Sequence, residues 1–320
     1  MVLNEREAFA RMISRHVGNT AIAHAFAEVP RERFLLHPAL KWQVYSDEVL
    51  VTYQKAGIMS TSSQPSLMAQ YMVWARLSAS SKVLEIGSGT GYNAAVMSRV
   101  CRQGLVVGVE YCREMVEFAT RTVDELGYTN VKFHTGDGFY GYPPEAPYDT
   151  VVATVAVTEI PIHWYEQLRE GGRIVAPIHL KTVYSDPTIV LEKTRDGLVG
   201  KFTTDTRFIS ARGVFEERYA QRRERLNTMR HLEESGSLKL SIPRPVLEFV
   251  SQKIWTDTAI YFVGERGYAK WKGTFWRLYG DVARELGNYE ESWLDHGDGG
   301  FFEIVFKLTP QKSSMIGSFE

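Results

Sequence analysis

The chain predicts an α/β fold, a doubly wound parallel sheet with a smaller α+β region behind it. Three observations carry this. From Lys82 onward, short β-branched runs alternate with helical patterns, the signature of parallel strands covered on both faces. The first of those runs, VLEI, feeds directly into a glycine-rich turn and a helix, GSGTGYNAAVMSRV. And 320 residues, 44% of them hydrophobic, exceed one average domain and can bury a sizeable core.

The elements follow in order. Phe9, Met12, Ile13 and Val17 fall at helical spacing, and AIAHAFAEV makes a second short helix. The run VPRERF ends it, because the residue before a proline is pushed out of the α region. Leu36 to Ser63 holds no period for long and reads as loops and short extended pieces. Pro65 opens a helix with Leu67, Tyr71, Trp74 and Leu77 on one face. Then come strand VLEI, the glycine turn and its helix, strand LVVGVE, helix MVEFATRTVDELG, and strands VKFHT and YDTVVATVAV. Helix WYEQLREGG, with a glycine stop, and strand RIVAPI follow, then strands TIVLEK and LVGKFTT. This organisation assigns residues 1–212 to the α/β domain with its N-terminal helical cap.

Residues 213–240 read as a charged linker helix. Five arginines face five glutamates within 216–234, so ion pairing along a solvated helix explains the cluster better than a polyanion does. Residues 241–320 read as a small α+β domain, with helices over Val246–Trp255 and Val282–Leu294. Its strands lie around Ile260–Val263, Ala269–Trp271, Phe275–Tyr279 and Phe301–Leu308. Trp255, Trp271, Trp276 and Trp293 supply core bulk there.

Bulk charge narrows the function. Lys and Arg total 37 against 38 Asp and Glu, which argues against a nucleic-acid partner. Cys101 and Cys112 are too few for a disulfide framework and read as reduced thiols. The start MVLNEREAFARM lacks the apolar core of a signal peptide, and the apolar runs fall short of the roughly 20 residues that span a bilayer. The expectation is a soluble, cytoplasmic protein with no membrane partner. No HxxxH or HxH pair, G-x-S-x-G elbow or phosphate-loop motif occurs, so no metal site is expected.

The chemistry gathers at one sheet edge. The glycines fall as Gly87-x-Gly89-x-Gly91, with Ser88 between the first two and Glu85 two residues upstream. A dinucleotide fingerprint needs a small residue at position 92, where Tyr92 stands, so the turn suits a ligand without a pyrophosphate, such as a nucleoside sulfonium. Glu110 ends the second strand, where a carboxylate can accept two hydrogen bonds from a ribose diol. Asp137, between Gly136 and Gly138, can accept from an adenine amino group, and the glycines leave room for the ring. Glu85, Gly87, Ser88, Gly89, Asn93, Glu110, Asp137 and Gly138 are therefore the candidate cofactor-binding residues. A nicotinamide dehydrogenase and a non-catalytic binding protein are the rival classes; Tyr92 argues against the first, and the intact acids against the second.

The run Ser63-Gln64-Pro65 ahead of a helix, then VLEIGSGTGYNAAVMSRV, GVE, GDG, PYDTVVATVAVTEIP and QLREGGRIVAPI, resembles the protein-L-isoaspartate (D-aspartate) O-methyltransferases. The resemblance runs from about Ala21 to Ile178, and the C-terminal region is similar to the extension of longer bacterial members. It implies a Rossmann-like methyltransferase fold, S-adenosyl-L-methionine as cofactor, isoaspartyl-containing proteins as partners in repair, and Ser63 as the catalytic hydroxyl. The alternative it leaves is the same chemistry on an aspartate of a modified peptide. The departures lie on the substrate side. Ser62 stands where the family usually has isoleucine, Leu35-Leu36 follow Phe34 instead of a small residue and proline, and Val157-Thr158 precede Glu159-Ile160-Pro161.

Overall fold

A computed structural model describes residues 2–36, 43–178, 186–195, 197–221, 239–243, 259–263, 266–271, 274–278, 290–295 and 302–307. Two compact units divide the chain: Met1–Val155 with Gln167–Val175, and Ala156–Glu166 with Ala176–Glu320.

The first unit opens with α1 (Val2–Val17) and α2 (Thr20–Glu28). The Asn19 side chain accepts from the Ile22 amide at 3.1 Å, capping α2 in place of a missing helical partner. Phe9 and Ile13 of α1 and Ile22 and Phe26 of α2 are buried together, with the two phenylalanine rings edge to face at 5.9 Å. A 3₁₀ turn over Arg31–Phe34 leads on toward a hairpin of β1 (Leu50–Lys55) and β2 (Ile58–Ser62). Its two-residue turn places Ala56 and Gly57 both at positive φ, the geometry that matches strand twist. Helix α3 (Pro65–Trp74) begins at the proline, as the sequence predicts. Its buried face, however, is Met68, Ala69, Tyr71 and Met72; Leu67 and Trp74 are only partly covered. Local periodicity could not see which side the neighbouring helix α1 would take.

The core of this unit is five strands: β3 (Lys82–Ile86), β4 (Leu105–Glu110), β5 (Val131–Thr135), β6 (Tyr148–Ala153) and β7 (Leu168–Pro177). They run parallel in the order β7-β6-β3-β4-β5. Strands β3, β4 and β6 are almost wholly buried, as a sheet covered on both faces requires. Helix α4 (Tyr92–Val100) follows β3 and α5 (Arg113–Glu125) follows β4. The Phe26 and Tyr92 rings meet at 6.3 Å, so the N-terminal helices form a cap over α4. Because the chain leaves β3 toward β4 and later returns to its other side as β6, strand β3 marks the switch point. There a crevice opens at the carboxyl ends of the strands.

One element differs from its prediction near this sheet. Helix α6 (Ile162–Gln167) stops before LREGG, which joins β7 instead. Leu168 is buried opposite Tyr148, and the register slips before Thr150 pairs with Arg173. Gly171 at φ 71° accommodates that irregularity, so the glycines mark a bulge and not a helix stop.

The second unit contains β8 (Asp186–Thr194), β9 (Gly197–Thr206) and β10 (Lys239–Pro243), all antiparallel neighbours. Helix α7 (Val214–Gln221) buries Phe215 against Trp164; residues 222–238 of the expected linker helix lie outside the described residues, and Lys239 and Leu240 are strand β10 where helix was expected, because they pair with β9. A separate sheet has the order β11-β12-β13-β15-β14. Its members are β11 (Ala259–Val263), β12 (Arg266–Trp271), β13 (Thr274–Leu278), β14 (Glu290–Asp295) and β15 (Phe302–Lys307). Residues 290–294 are thus strand where a helix over Val282–Leu294 was expected. Pairing of the whole of β14 with β15 outweighs their local helical pattern. The rest of that helix, and the one expected at Val246–Trp255, lie outside the described residues.

Candidate active site

The glycine turn leaves β3 under tight steric control. Gly87, Gly89 and Gly91 all have positive φ, a conformation that side chains rarely adopt. A Cβ on Gly91 would lie 2.8 Å from Ala119 Cβ and 2.7 Å from the Phe133 ring, so this glycine lets α4 start close against the sheet. A Cβ on Gly89 would lie 2.8 Å from Ser60 Oγ, so hairpin strand β2 passes directly over the turn. The amides of Gly87 and Ser88 both donate to the Val109 carbonyl, at 2.8 and 3.3 Å, tying the turn to the end of β4.

Two buried carboxylates flank this turn. Glu110 accepts from the Gly89 amide at 2.9 Å through one oxygen and from the Cys112 amide at 2.9 Å through the other. Glu85 is fully buried and accepts from Asn93 Nδ2 at 2.6 Å and from Thr154 Oγ1 at 3.4 Å. Burial pushes its pKa up to about 7, against the hydrogen bonds from Asn93 and Thr154, with Glu110's negative charge acting in the same direction as burial. Thr154 also donates to the Gly87 carbonyl at 2.8 Å, linking the end of β6 to the turn.

The third loop arrives from β5. Asp137 accepts from the Phe139 amide at 2.9 Å, shaping a short 3₁₀ turn. A Cβ on Gly138 would lie 2.4 Å from Ile86 Cγ2, so this turn rests on the last residue of β3. The candidates thus gather at one sheet edge: Glu85 in β3, Gly87, Ser88 and Gly89 in the turn after it, Asn93 in the first turn of α4, Glu110 closing β4, and Asp137 and Gly138 after β5. Within that cradle Ser88 Oγ, Glu85 Oε2 and Asn93 Oδ1 are buried and make no hydrogen bond. Buried polar atoms normally have partners, so a polar ligand with both donors and acceptors fits here.

Ser63 is half-buried between β2 and α3, three residues after the Ser60 that overlies Gly89. Two residues that sequence reasoning did not single out fix its position. The fully buried Arg31 donates to the Ser63 carbonyl at 3.1 Å and to Ser62 Oγ at 3.2 and 3.1 Å. It also donates to the carbonyls of Val44, Ser46 and Glu48 at 3.1, 3.2 and 3.0 Å. Burial lowers the Arg31 pKa, while attraction from Tyr92 and Asp47 opposes that. From the following residues, Asp47 accepts from the Ser66 amide at 2.8 Å and from Gln64 Nε2 at 2.9 Å, so it acts as the cap of α3. Burial disfavours Asp47's charge, yet hydrogen bonds from Gln64 and Ser66 prevail and hold its pKa low. VPRERF was visible as a pattern, but nothing local separates Arg31 from exposed Arg33 two residues later.

A doubly wound sheet with three loops over its switch strand, and Tyr92 where a dinucleotide fingerprint needs a small residue, marks the class of Rossmann-like folds whose glycine turn suits a ligand without a pyrophosphate. The comparisons narrow this. Residues 4–214 match the family described as Protein-L-isoaspartate(D-aspartate) O-methyltransferase. The protein-L-isoaspartate O-methyltransferase of Thermotoga maritima is 40% identical over 305 residues, covering 95% of this chain and 96% of its own. That of Gloeobacter violaceus is 38% identical over 195 residues, 61% of this chain and 91% of its own. A solved protein-L-isoaspartate O-methyltransferase superposes with a TM-score of 0.66 at 36% identity, covering 93% of this chain and 98% of that one. The fold is shared with a Plasmodium falciparum structure described as a putative protein-L-isoaspartate O-methyltransferase in complex with S-adenosyl-L-homocysteine (TM-score 0.54, 18% identity, 65% and 98% covered). The chain belongs to the protein-L-isoaspartate (D-aspartate) O-methyltransferase family, and S-adenosyl-L-methionine is its cofactor.

Proposed function

We propose that this chain methylates L-isoaspartyl carboxylates in damaged proteins, binding the donor in the three-loop cradle and aligning the acceptor with Ser63. The observation that carries the reading is the set of unpaired buried polar atoms around the glycine turn, with Ser60 of β2, three residues before Ser63, directly over Gly89. Glu110 would take the ribose hydroxyls, Asp137 the adenine amino group, and Gly87, Ser88 and Gly89 the close backbone approach. Glu85 and Asn93 would line the floor, and Gly138 would leave space for the ring. When bound, the donor supplies a methyl group on a positively charged sulfur. The acceptor carboxylate, with a pKa near 4, is already ionised at neutral pH, so no general base is needed. Held by these residues, the donor would supply its methyl for in-line transfer to the carboxylate oxygen, the S–CH3 bonding pair returning to sulfur. Ser63 donates a hydrogen bond that fixes the attacking angle, and the start of α3 adds favourable partial positive charge. The two free cysteines support a cytoplasmic setting. The five-stranded sheet, which begins at β11, supports reading the C-terminal region as a separate domain, while β10 (Lys239–Pro243) pairs with β9 and so belongs with the preceding sheet.

The test pairs an isoaspartyl peptide with its normal aspartyl twin, using the parent chain and Ser63→Ala. Methylation of the isoaspartyl peptide alone is expected, with Ser63→Ala slower by about 10- to 150-fold in single turnover, the barrier of one charged hydrogen bond. Equal methylation of the twin would redirect the substrate to an aspartyl carboxylate. Ser63→Ala within about twofold of the parent, well short of that loss, would leave Ser63 only a structural role.

A further inference from the structure

Arg31 makes more hydrogen bonds than the turn it belongs to requires, and two of its acceptors are consecutive residues at the reacting end of β2. Its acceptors are all neutral: the carbonyls of Val44, Ser46, Glu48, Ser62 and Ser63, and the Ser62 hydroxyl. A guanidinium offers five N–H donors in a rigid plane, so the five residues are held in a fixed mutual geometry. Burying a charge without an ion pair is costly, and a residue that merely filled space here would be apolar. Tyr92, the first residue of the helix that leaves the glycine turn, has its ring centroid 5.4 Å from the Arg31 guanidinium carbon. One side chain therefore spans from the donor-side helix to the backbone of Ser63. On the opposite side, Asp47 holds the Ser66 amide and the Gln64 side chain, so the Ser63 backbone is gripped from both directions.

We infer that Arg31 is a positioning residue for methyl transfer, acting through the Ser63 carbonyl and the Ser62 hydroxyl to aim the Ser63 hydroxyl at the acceptor carboxylate. Ser62 is the local partner in this device. Its buried hydroxyl accepts two guanidinium N–H bonds. The inference rests on the proposed role of Ser63, and the experiment separates the two.

Single-turnover methylation of an isoaspartyl peptide is measured at saturating donor for the parent, Ser63→Ala, Ser62→Ala, Arg31→Lys and the Ser62→Ala/Ser63→Ala double variant. Active concentration is set by the stoichiometry of S-adenosylhomocysteine binding. Ser62→Ala should lower the rate at saturating peptide by about 3- to 10-fold, the size of one neutral hydrogen bond in a barrier, and leave S-adenosylhomocysteine affinity within about twofold, far less than the loss of a direct contact. Arg31→Lys should lose at least as much, because a point charge cannot serve acceptors spread over five residues. The decisive result is non-additivity: once Ser63 is alanine, removing the Ser62 hydroxyl should slow the reaction no further. If Arg31→Lys does not fold, Ser62→Ala and the double variant carry the test alone. A slow Ser63→Ala beside an unaffected or fully additive Ser62→Ala overturns the positioning role and leaves Ser63 standing. A Ser63→Ala as fast as the parent overturns both.

Discussion

Glu85→Gln isolates the most unusual electrostatic feature of the site. Glu85 is fully buried at the end of β3, and its pKa stands at about 7 against an ordinary 4.5. The folded chain therefore holds a proton there that the unfolded chain has released between pH 4.5 and 7. Stability linked to this group is fully present below about pH 4.5, falls as pH rises through the window, and is lost above about 7. At about 1.4 kcal/mol per pH unit, the loss amounts to about 3 kcal/mol. Glutamine keeps the shape and an oxygen to accept from Asn93 at the position where Glu85 Oε1 now accepts at 2.6 Å, but it cannot ionise. The assay is urea unfolding of donor-free parent and variant from about pH 5 to 9, followed by circular dichroism. Their difference should grow in the variant's favour and level off near 3 kcal/mol above about pH 8. Other titrating groups are common to both proteins and cancel. A difference flat across that range would refute a protonated Glu85 in the folded chain. In a Glu110→Gln background the window should move to lower pH, because Glu110's charge helps hold the proton on Glu85.

Glu110→Gln should weaken S-adenosylhomocysteine binding by about 1–3 kcal/mol in calorimetry, since an amide cannot accept from both Gly89 and Cys112 and still serve a ribose. Unchanged affinity would move the ribose contact elsewhere. Gly91→Ala forces a methyl into Ala119 and the Phe133 ring at positive φ, and should cost about 1–3 kcal/mol of stability in denaturant titration; a neutral result would mean that α4 can shift. Asp47→Ala removes the acceptor that caps α3 and should lower stability by about 0.5–2 kcal/mol with donor affinity unaltered. Loss of donor binding in that variant would show that the α3 end belongs to the donor site.

The donor half of the site was legible because its signals are local. Alternation of apolar runs located β3, β4 and β5, and the residues that end those strands are the ones that meet at the switch point. Tyr92 at the third glycine position already argued against a pyrophosphate, and its burial beneath Phe26 and Phe34 gives the reason that a large ring is needed there. Where neighbours in space decided the outcome, local pattern failed. Helix α3 turned Met68, Ala69, Tyr71 and Met72 inward in place of the Leu67 stripe. Residues 290–294 pair as β14 because β15 offers them a full ladder. The Thr154 link between Glu85 and Gly87 joins residues separated by 69 and 67 positions, beyond the reach of any periodicity argument.

The same distinction separates the two halves of the chemistry. A glycine turn and a carboxylate at a strand end would fix a cofactor through backbone geometry, so the residues proposed to hold the donor are the residues of the motif itself. The acceptor side is assembled differently. Ser63 lies 32 residues from Arg31, and the Arg31 contacts to Val44, Ser46 and Glu48 draw a long irregular loop into the same knot. Such a knot needs a polar acceptor for the buried guanidinium at position 62, which the Ser62 hydroxyl supplies. Substitutions on this side should therefore come in compensating sets around Arg31, while the donor loops stay as they are. Replacing Ser62 by isoleucine in this chain removes an acceptor without removing the charge. The loss should appear in acceptor turnover and in stability, with S-adenosylhomocysteine affinity intact, because the bonds from Gly89 and Cys112 to Glu110 do not pass through that knot.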